Sequence, residues 1–242
     1  MPAARAKKGR GPFRRAFRIF LVLGLLLTAG YVAWEVVTWP NVGVLRTRWP
    51  KSTAFIEGWK RKHEERPAWR IVPYGRISPN LKRAVLVGED IDFFSHDGFD
   101  LHEVRLAVRE AVDAGEVPRG ASTLTQQLAK NLWLSPSRNP VRKLKEAILT
   151  KQLERDLGKK RILELYLNVV EFGPGVYGAG AASQRYFGKA AGDLDESEAA
   201  QLAATLPNPS AWYPGATSAA YRRRVASIER RMGRATFLFK QL

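Results

Sequence analysis

Behind seven cations and no acid in residues 1–18 (Arg5, Lys7, Lys8, Arg10, Arg14, Arg15, Arg18), the chain runs from Ile19 to Trp34 without a single charge. As a helix this uncharged run rises roughly 24 Å, slightly less than the roughly 30 Å of a bilayer's hydrocarbon layer. Phe17 and Phe20 at one end and Trp34 and Trp39 at the other stand where interfacial aromatic belts lie, and Arg18 can extend its charge to the headgroups, so the flanks complete the span. A cleaved signal peptide needs a small-x-small site, for which Thr28-Ala29-Gly30 is a poor candidate, and an ordinary buried helix would not carry so clustered a basic flank. The expected arrangement is a retained single-pass anchor in the cytoplasmic (inner) membrane. Its N-terminus stays cytoplasmic and everything beyond about Pro40 faces the periplasm or the cell exterior.

This division organises the rest: a basic tail over residues 1–18, the anchor over 19–39, a membrane-proximal connector over 40–69 and one folded domain over 70–242. The tail accounts for seven of the net +17, leaving +10 for the remainder. An apolar content of 45% with seven Trp supplies a real core, which excludes a disordered or collagen-like chain. With no cysteine, disulfide frameworks, thiolate nucleophiles and Cys-ligated zinc or iron-sulfur centres are excluded as well.

Pro40, Pro50, Pro67, Pro73 and Pro79 punctuate the connector, which also holds a charge-rich, helix-like patch from Trp59 to Arg66. From Leu81 onward apolar residues recur at helical spacing: Leu81, Val85 and Leu86, then Leu101, Val104, Val108 and Val112. These predict core-facing helical stripes. Further helices are expected over 122–134, over 141–157 with Leu149, Leu153 and Leu157 one turn apart, over 161–169, over 197–206 with Ser197 as N-cap, and over 219–233. Period-two alternation is nearly absent, so the expected fold class is mainly α with at most a short hairpin. Gly173 to Gly178 reads as a glycine loop, and no GxxxxGK[ST] phosphate loop is present.

Three stretches can carry chemistry. Glu89 to Gly98 places four acids and His96 beside Phe93 and Phe94; a carboxylate among apolar rings suits a general acid or base, whereas a solvated loop capping the next helix explains the same residues. In Gly120 to Asn131, Ser122, Gln126 and Lys130 are spaced to share one helical face, so hydroxyl, amide and ammonium can meet in a cleft. Alternatively the face is simply polar, with Ser122 as N-cap. Arg138, Arg142, Lys143, Lys145 and Glu146 read either as a surface ion-pair set or as cations that neutralise a pyrophosphate beside a second carboxylate.

In order, Glu89-Asp90-x-x-Phe93-x-x-His96-x-Gly98, Gly120-x-Ser122-Thr123-x-Thr125-Gln126-Gln127-Leu128-x-Lys130-Asn131 and Arg142-Lys143-x-x-Glu146-Ala147 resemble the signature motifs of the peptidoglycan glycosyltransferase family. Ile162-Leu163-Glu164-Leu165-Tyr166-Leu167-Asn168, Arg185-Tyr186-Phe187-Gly188-Lys189, Glu198-Ala199-Ala200 and Leu206-Pro207-Asn208-Pro209 look like its later motifs, and together they cover residues from about 70 to 215. Leu124 stands where Ile is usual, and Pro40 to Arg70 carries no matching motif. The SxxK and KTG motifs of bifunctional relatives are absent from this sequence, which places the resemblance with the monofunctional members.

The resemblance implies a lysozyme-like helical domain with a small lobe against the membrane, and polymerisation of lipid II into β-1,4 glycan with release of undecaprenyl pyrophosphate. It gives Glu89 the role of base and sets Glu146 at the donor pyrophosphate, where it can share Mg²⁺ or Mn²⁺; no organic cofactor is expected. Ser122, Thr123, Gln126, Gln127, Lys130, Asn131, Arg138, Arg142 and Lys143 fall at substrate-binding positions. Asp90, Phe93, His96, Gly98, Gly120 and Asn168 fall at structural ones, with His96 expected to hold its loop by hydrogen bonding. The implied partners are lipid II, the growing strand and the membrane, with division or elongation proteins as further candidates and no nucleic acid. Rival readings are a muramidase or lytic transglycosylase, which shares the scaffold but has no pyrophosphate to bind, and a non-catalytic membrane-tethered scaffold.

Overall fold

The computed structural model describes residues 12–115, 122–137 and 139–242, so Gly120 and Arg138 of the motifs lie outside the described residues. The chain divides into two units, 1–41 and 42–242. In the first, α1 (Pro12–Val37) has 26 residues. At 1.5 Å per residue it is about 39 Å long, enough to cross the hydrocarbon layer. The helix begins ahead of Arg14, Arg15 and Arg18, so the basic flank extends the helix beyond the uncharged run. Its apolar side chains are exposed around its circumference, Leu25 and Leu27 among them, as suits a segment whose solvent is lipid.

The second unit is helical with one small sheet. α2 (Ala54–Lys62) starts ahead of the charged patch read from the sequence, because the Thr53 hydroxyl accepts from Ile56 N at 3.1 Å and fixes the first turn there. α3 (Pro79–Glu89) is opened by the Ser78 hydroxyl and by Pro79 in the first turn, where its missing N–H costs nothing. α4 (Leu101–Ala114) is capped by Asp100, α5 (Leu124–Trp133) by Thr123, and α6 (Pro140–Asp156) by Asn139. α7 (Lys159–Val169) follows, then α8 (Ala179–Phe187), α9 (Glu196–Thr205) and α10 (Ala219–Arg234).

Strand β1 (Ala68–Trp69) lies parallel to β3 (Val176–Tyr177), which also pairs antiparallel with β2 (Glu171–Gly173), in the order β1-β3-β2. The β2–β3 hairpin turns through Gly175 at φ +69°, where a Cβ would stand 2.6 Å from the Trp59 ring; only glycine lets the turn and α2 approach so closely. α3 packs against α9 and α10, and α5 against α6 and α7. Leu81, Val85, Leu86, Leu149, Leu153, Ile162, Leu165 and Tyr166 fill the interior.

Two sequence expectations need correction. The stripe Leu101, Val104, Val108 and Val112 of α4 is not core: these residues are 63%, 41%, 47% and 74% exposed, and α4 buries Ala107 and Ala111 instead. Periodicity identifies an apolar face but not the medium it meets, and close packing against α4 uses its small residues. The second concerns α9, whose N-cap is Asp195 and not Ser197. Asp195 Oδ1 accepts from Glu198 N at 2.9 Å while Glu198 Oε2 accepts from Asp195 N at 3.1 Å, a reciprocal box that outcompetes a lone serine two residues on.

Candidate active site

Glu89 is the last residue of α3, at the end of a helix and not in the loop that follows. Its carboxylate is nearly buried and each oxygen has one partner: Oε1 accepts from Arg224 Nη2 at 2.7 Å and Oε2 from Gln127 Nε2 at 2.9 Å. Polar donors, in place of the aromatic surroundings inferred from sequence, therefore orient it. A carboxylate offers about four lone-pair positions, so two remain for a hydroxyl proton. The Gln127 amide is itself oriented, because its Oε1 accepts from the Tyr166 hydroxyl at 2.9 Å. Tyr166 is fully buried, which pushes its hydroxyl well above the ordinary phenol range, with Glu89 and Asp90 adding to the effect; the hydroxyl stays protonated and donates.

Asp90 serves the backbone. Its Oδ2 accepts from Leu124 N at 2.8 Å, taking up a first-turn N–H of α5, and its Oδ1 lies 3.0 Å from His96 Nε2. His96 Nδ1 accepts from Gly98 N at 3.1 Å, which assigns the ring proton to Nε2 and makes Asp90 its acceptor. The Gly98 carbonyl accepts from the Thr123 hydroxyl at 2.8 Å. Gly98 has φ +87°, and a Cβ there would lie 2.7 Å from Thr150 Cγ2, so the loop folds against α6 only with glycine at this position. Phe93 is fully buried beneath the Lys159 ammonium, 4.4 Å from the ring centroid. Together these contacts tie the loop after α3 to the start of α5.

At the start of α5 the structure separates two neighbouring glutamines. Thr123, and not Ser122, is the N-cap, and Gln126 completes its capping box by accepting from Thr123 N at 3.0 Å. Gln126 is thereby committed to the cap, Ser122 lies exposed ahead of the helix, and Gln127 is the amide that reaches Glu89. The shared face of Ser122, Gln126 and Lys130 therefore does not form as spaced, since Ser122 and Thr123 precede the helix, which begins at Leu124. Asn131 Nδ2 donates to the Gln127 carbonyl at 2.8 Å, within α5.

The second carboxylate sits on α6. Glu146 is 3% exposed in its side chain, with Arg142 Nη1 at 2.7 Å from Oε2 and the Lys143 ammonium bonded to Oε1. The Lys130 ammonium stands 5.9 Å from the Phe55 ring centroid. Burial holds it below the ordinary lysine range, Glu146 partly restores it, Arg142 and Lys143 depress it further, and Glu89 raises it slightly. Lys130 thus lies within the fields of both glutamates. Asn168 is fully buried elsewhere, clamping Val72 through N–H to Oδ1 at 2.7 Å and through Nδ2 to the Val72 carbonyl at 2.9 Å.

The residues fit a resident divalent cation poorly. Both Glu146 oxygens already carry cationic partners, and among the described residues no three His, Cys, Asp or Glu side chains converge.

A family model described as Transglycosylase matches residues 57–233. The chain belongs to the transglycosylase family. It is 48% identical over 192 residues to a protein of Thiobacillus denitrificans named biosynthetic peptidoglycan transglycosylase, covering 76% of this chain and 82% of the relative. A Chromobacterium violaceum protein of the same name is 41% identical over 217 residues (88% and 92%), and one from Cupriavidus pinatubonensis is 40% identical over 249 residues (98% and 99%). The matched region contains Glu89, Asp90, Gln127, Lys130, Glu146 and Tyr166, and also Arg224, which sequence reasoning missed. Arg224 comes from the run Tyr221-Arg222-Arg223-Arg224, whose cations look alike in sequence. Its only signal was position: Arg224 lies three residues after buried Tyr221 and four before buried Ile228.

Proposed function

We propose that this chain polymerises lipid II into β-1,4-linked glycan with inversion at the donor carbon, releasing undecaprenyl pyrophosphate. The basic tail keeps the N-terminus in the cytoplasm, α1 spans the inner membrane, and residues 42–242 work in the periplasm at the depth where a polyprenyl-linked substrate presents its sugar. The observation that carries the reading is a nearly buried carboxylate at Glu89 with Lys130, Arg142 and Lys143 gathered around Glu146 on the adjoining helices. A glycan-cleaving enzyme needs the first feature and has no use for the second.

The donor sugar is α-linked to pyrophosphate and the product is β-linked, so one in-line displacement suffices. The acceptor 4-hydroxyl oxygen forms the new bond to the donor carbon, its proton passes to Glu89, and the bond to pyrophosphate breaks with both electrons leaving on the phosphate oxygen. Lys130, Arg142 and Lys143 stabilise the charge that develops there, and Glu146 holds the last two in place before substrate arrives. Any Mg²⁺ or Mn²⁺ would be held mainly by pyrophosphate oxygens. Lipid II, the growing strand and the membrane are the partners, with division or elongation proteins as recruiters.

Purified full-length protein incubated with lipid II should give glycan polymer and undecaprenyl pyrophosphate. Glu89→Gln keeps size and hydrogen bonding but removes the base, so turnover should fall by roughly 10² to 10⁴. Cleavage of finished glycan without polymer formation would favour the muramidase reading, neither polymer nor cleavage from wild type the scaffold reading, and wild-type polymerisation by Glu89→Gln would make another residue the base, Asp90 first.

A further inference from the structure

One helix beyond the polymerase motifs reaches the candidate base. α10 buries Tyr221, Ile228 and Met232, and of the three consecutive arginines Arg222, Arg223 and Arg224 only the last turns toward that inner face. The helix is pressed against the end of α3: a Cβ on Gly88 would lie 3.3 Å from Ile228 Cδ1. Arg224 Nη2 then donates to the Gly88 carbonyl at 3.0 Å and to Glu89 Oε1 at 2.7 Å. Gly88 O belongs to the last turn of α3, whose carbonyls lack helical partners and favour a cation. A single nitrogen thus links the backbone of α3 to the carboxylate on its terminal residue, which fixes the direction of the Glu89 side chain.

Gln127 holds the opposite oxygen, and it is oriented by the buried Tyr166 hydroxyl, which donates to its Oε1. Among the described residues the Arg224 Nε is buried without a hydrogen-bond partner, as are those of Arg83 and Arg142, a cost that an apolar side chain at this position would avoid.

We propose that Arg224 is a positioning residue for glycan transfer, aiming the Glu89 carboxylate at the acceptor hydroxyl from a helix 135 residues away in sequence. This rests on Glu89 being the base. Arg224 touches neither substrate in this assignment, so its loss should act on the chemical step and leave substrate affinity alone.

The test is steady-state polymerisation of lipid II by full-length wild type, Arg224→Met and Arg224→Lys, with thermal unfolding of each. In Arg224→Met, kcat should fall on the order of 10- to 100-fold with KM nearly unchanged, the scale expected when a reacting group is misplaced by about 1 Å. Arg224→Lys keeps the charge but cannot span both acceptors as well, so its kcat should lie between the two. Wild-type kcat in Arg224→Met overturns the proposal, and so does a rise in KM at constant kcat, which would make Arg224 a substrate contact. If Arg224→Met fails to fold, Arg224→Lys decides alone, and wild-type kcat there overturns the assignment. Absence of polymer from wild type itself would instead strike the proposed function.

Discussion

Asp90→Ala should destabilise the catalytic unit before it alters chemistry. The Asp90 side chain is 3% exposed and accepts two hydrogen bonds, from Leu124 N at 2.8 Å and from His96 Nε2 at 3.0 Å. Leu124 is itself fully buried, so deleting the carboxylate leaves a first-turn N–H of α5 with no acceptor and no route to water. That orphaned donor costs about 1–3 kcal/mol, and the lost anion at a helix N-terminus adds about 0.3–1 kcal/mol. Releasing His96 loosens the loop it ties to Gly98, for about 1 kcal/mol more. The expected total is about 3–4 kcal/mol, and for a unit of this size it lowers the Tm by roughly 10 °C at about 2–4 °C per kcal/mol. Thermal unfolding of purified full-length protein in detergent measures it. Asp90→Asn should lose less, because one oxygen still accepts while the amide NH₂ opposes the other donor. Activity should decline with the folded fraction and recover on cooling. An Asp90→Ala protein that unfolds within about 2 °C of wild type yet polymerises no lipid II would refute the capping argument and place Asp90 on the substrate.

Lys130→Met should uncouple stability from activity. Burial depresses the Lys130 pKa, so the folded state binds that proton less readily than the unfolded chain, and the charged form costs stability at every pH below its folded value; the variant's Tm at pH 7 should equal or exceed that of wild type. Its kcat/KM for lipid II should drop roughly 10- to 150-fold, the worth of a charge-assisted contact of about 1.5–3 kcal/mol, and an unchanged kcat/KM would move the pyrophosphate elsewhere. Glu171, on the hairpin edge, has its carboxyl raised chiefly by burial, against the opposing Gly175 N–H, His63 and Tyr177. The folded state therefore holds this proton more tightly, and wild type loses stability as pH rises from the ordinary carboxylate range of about 4 through the folded value. Glu171→Gln should be more stable than wild type in urea unfolding at pH 7.5, with the advantage shrinking toward pH 4; an advantage independent of pH would refute that cause.

What the sequence determined by itself is local. The apolar helix long enough to cross a membrane was legible because its length and lack of charge are properties of a single segment, and most helices of the second unit because periodicity and caps act within four residues. The motif carrying Glu89 and the helix carrying Glu146 were legible too, as was the family. Tertiary structure decided which of two adjacent glutamines meets Glu89: Gln126 turns into a capping box and Gln127 toward that carboxylate, a choice made by where α5 begins. It decided that the α4 stripe stays exposed, since amphipathicity does not name the neighbour. It also decided that Arg224, indistinguishable from Arg222 and Arg223 in sequence, meets Glu89 across 135 residues. Contacts at that separation depend on how α3, α9 and α10 pack, and packing is a property of the assembled core that no short window of residues contains.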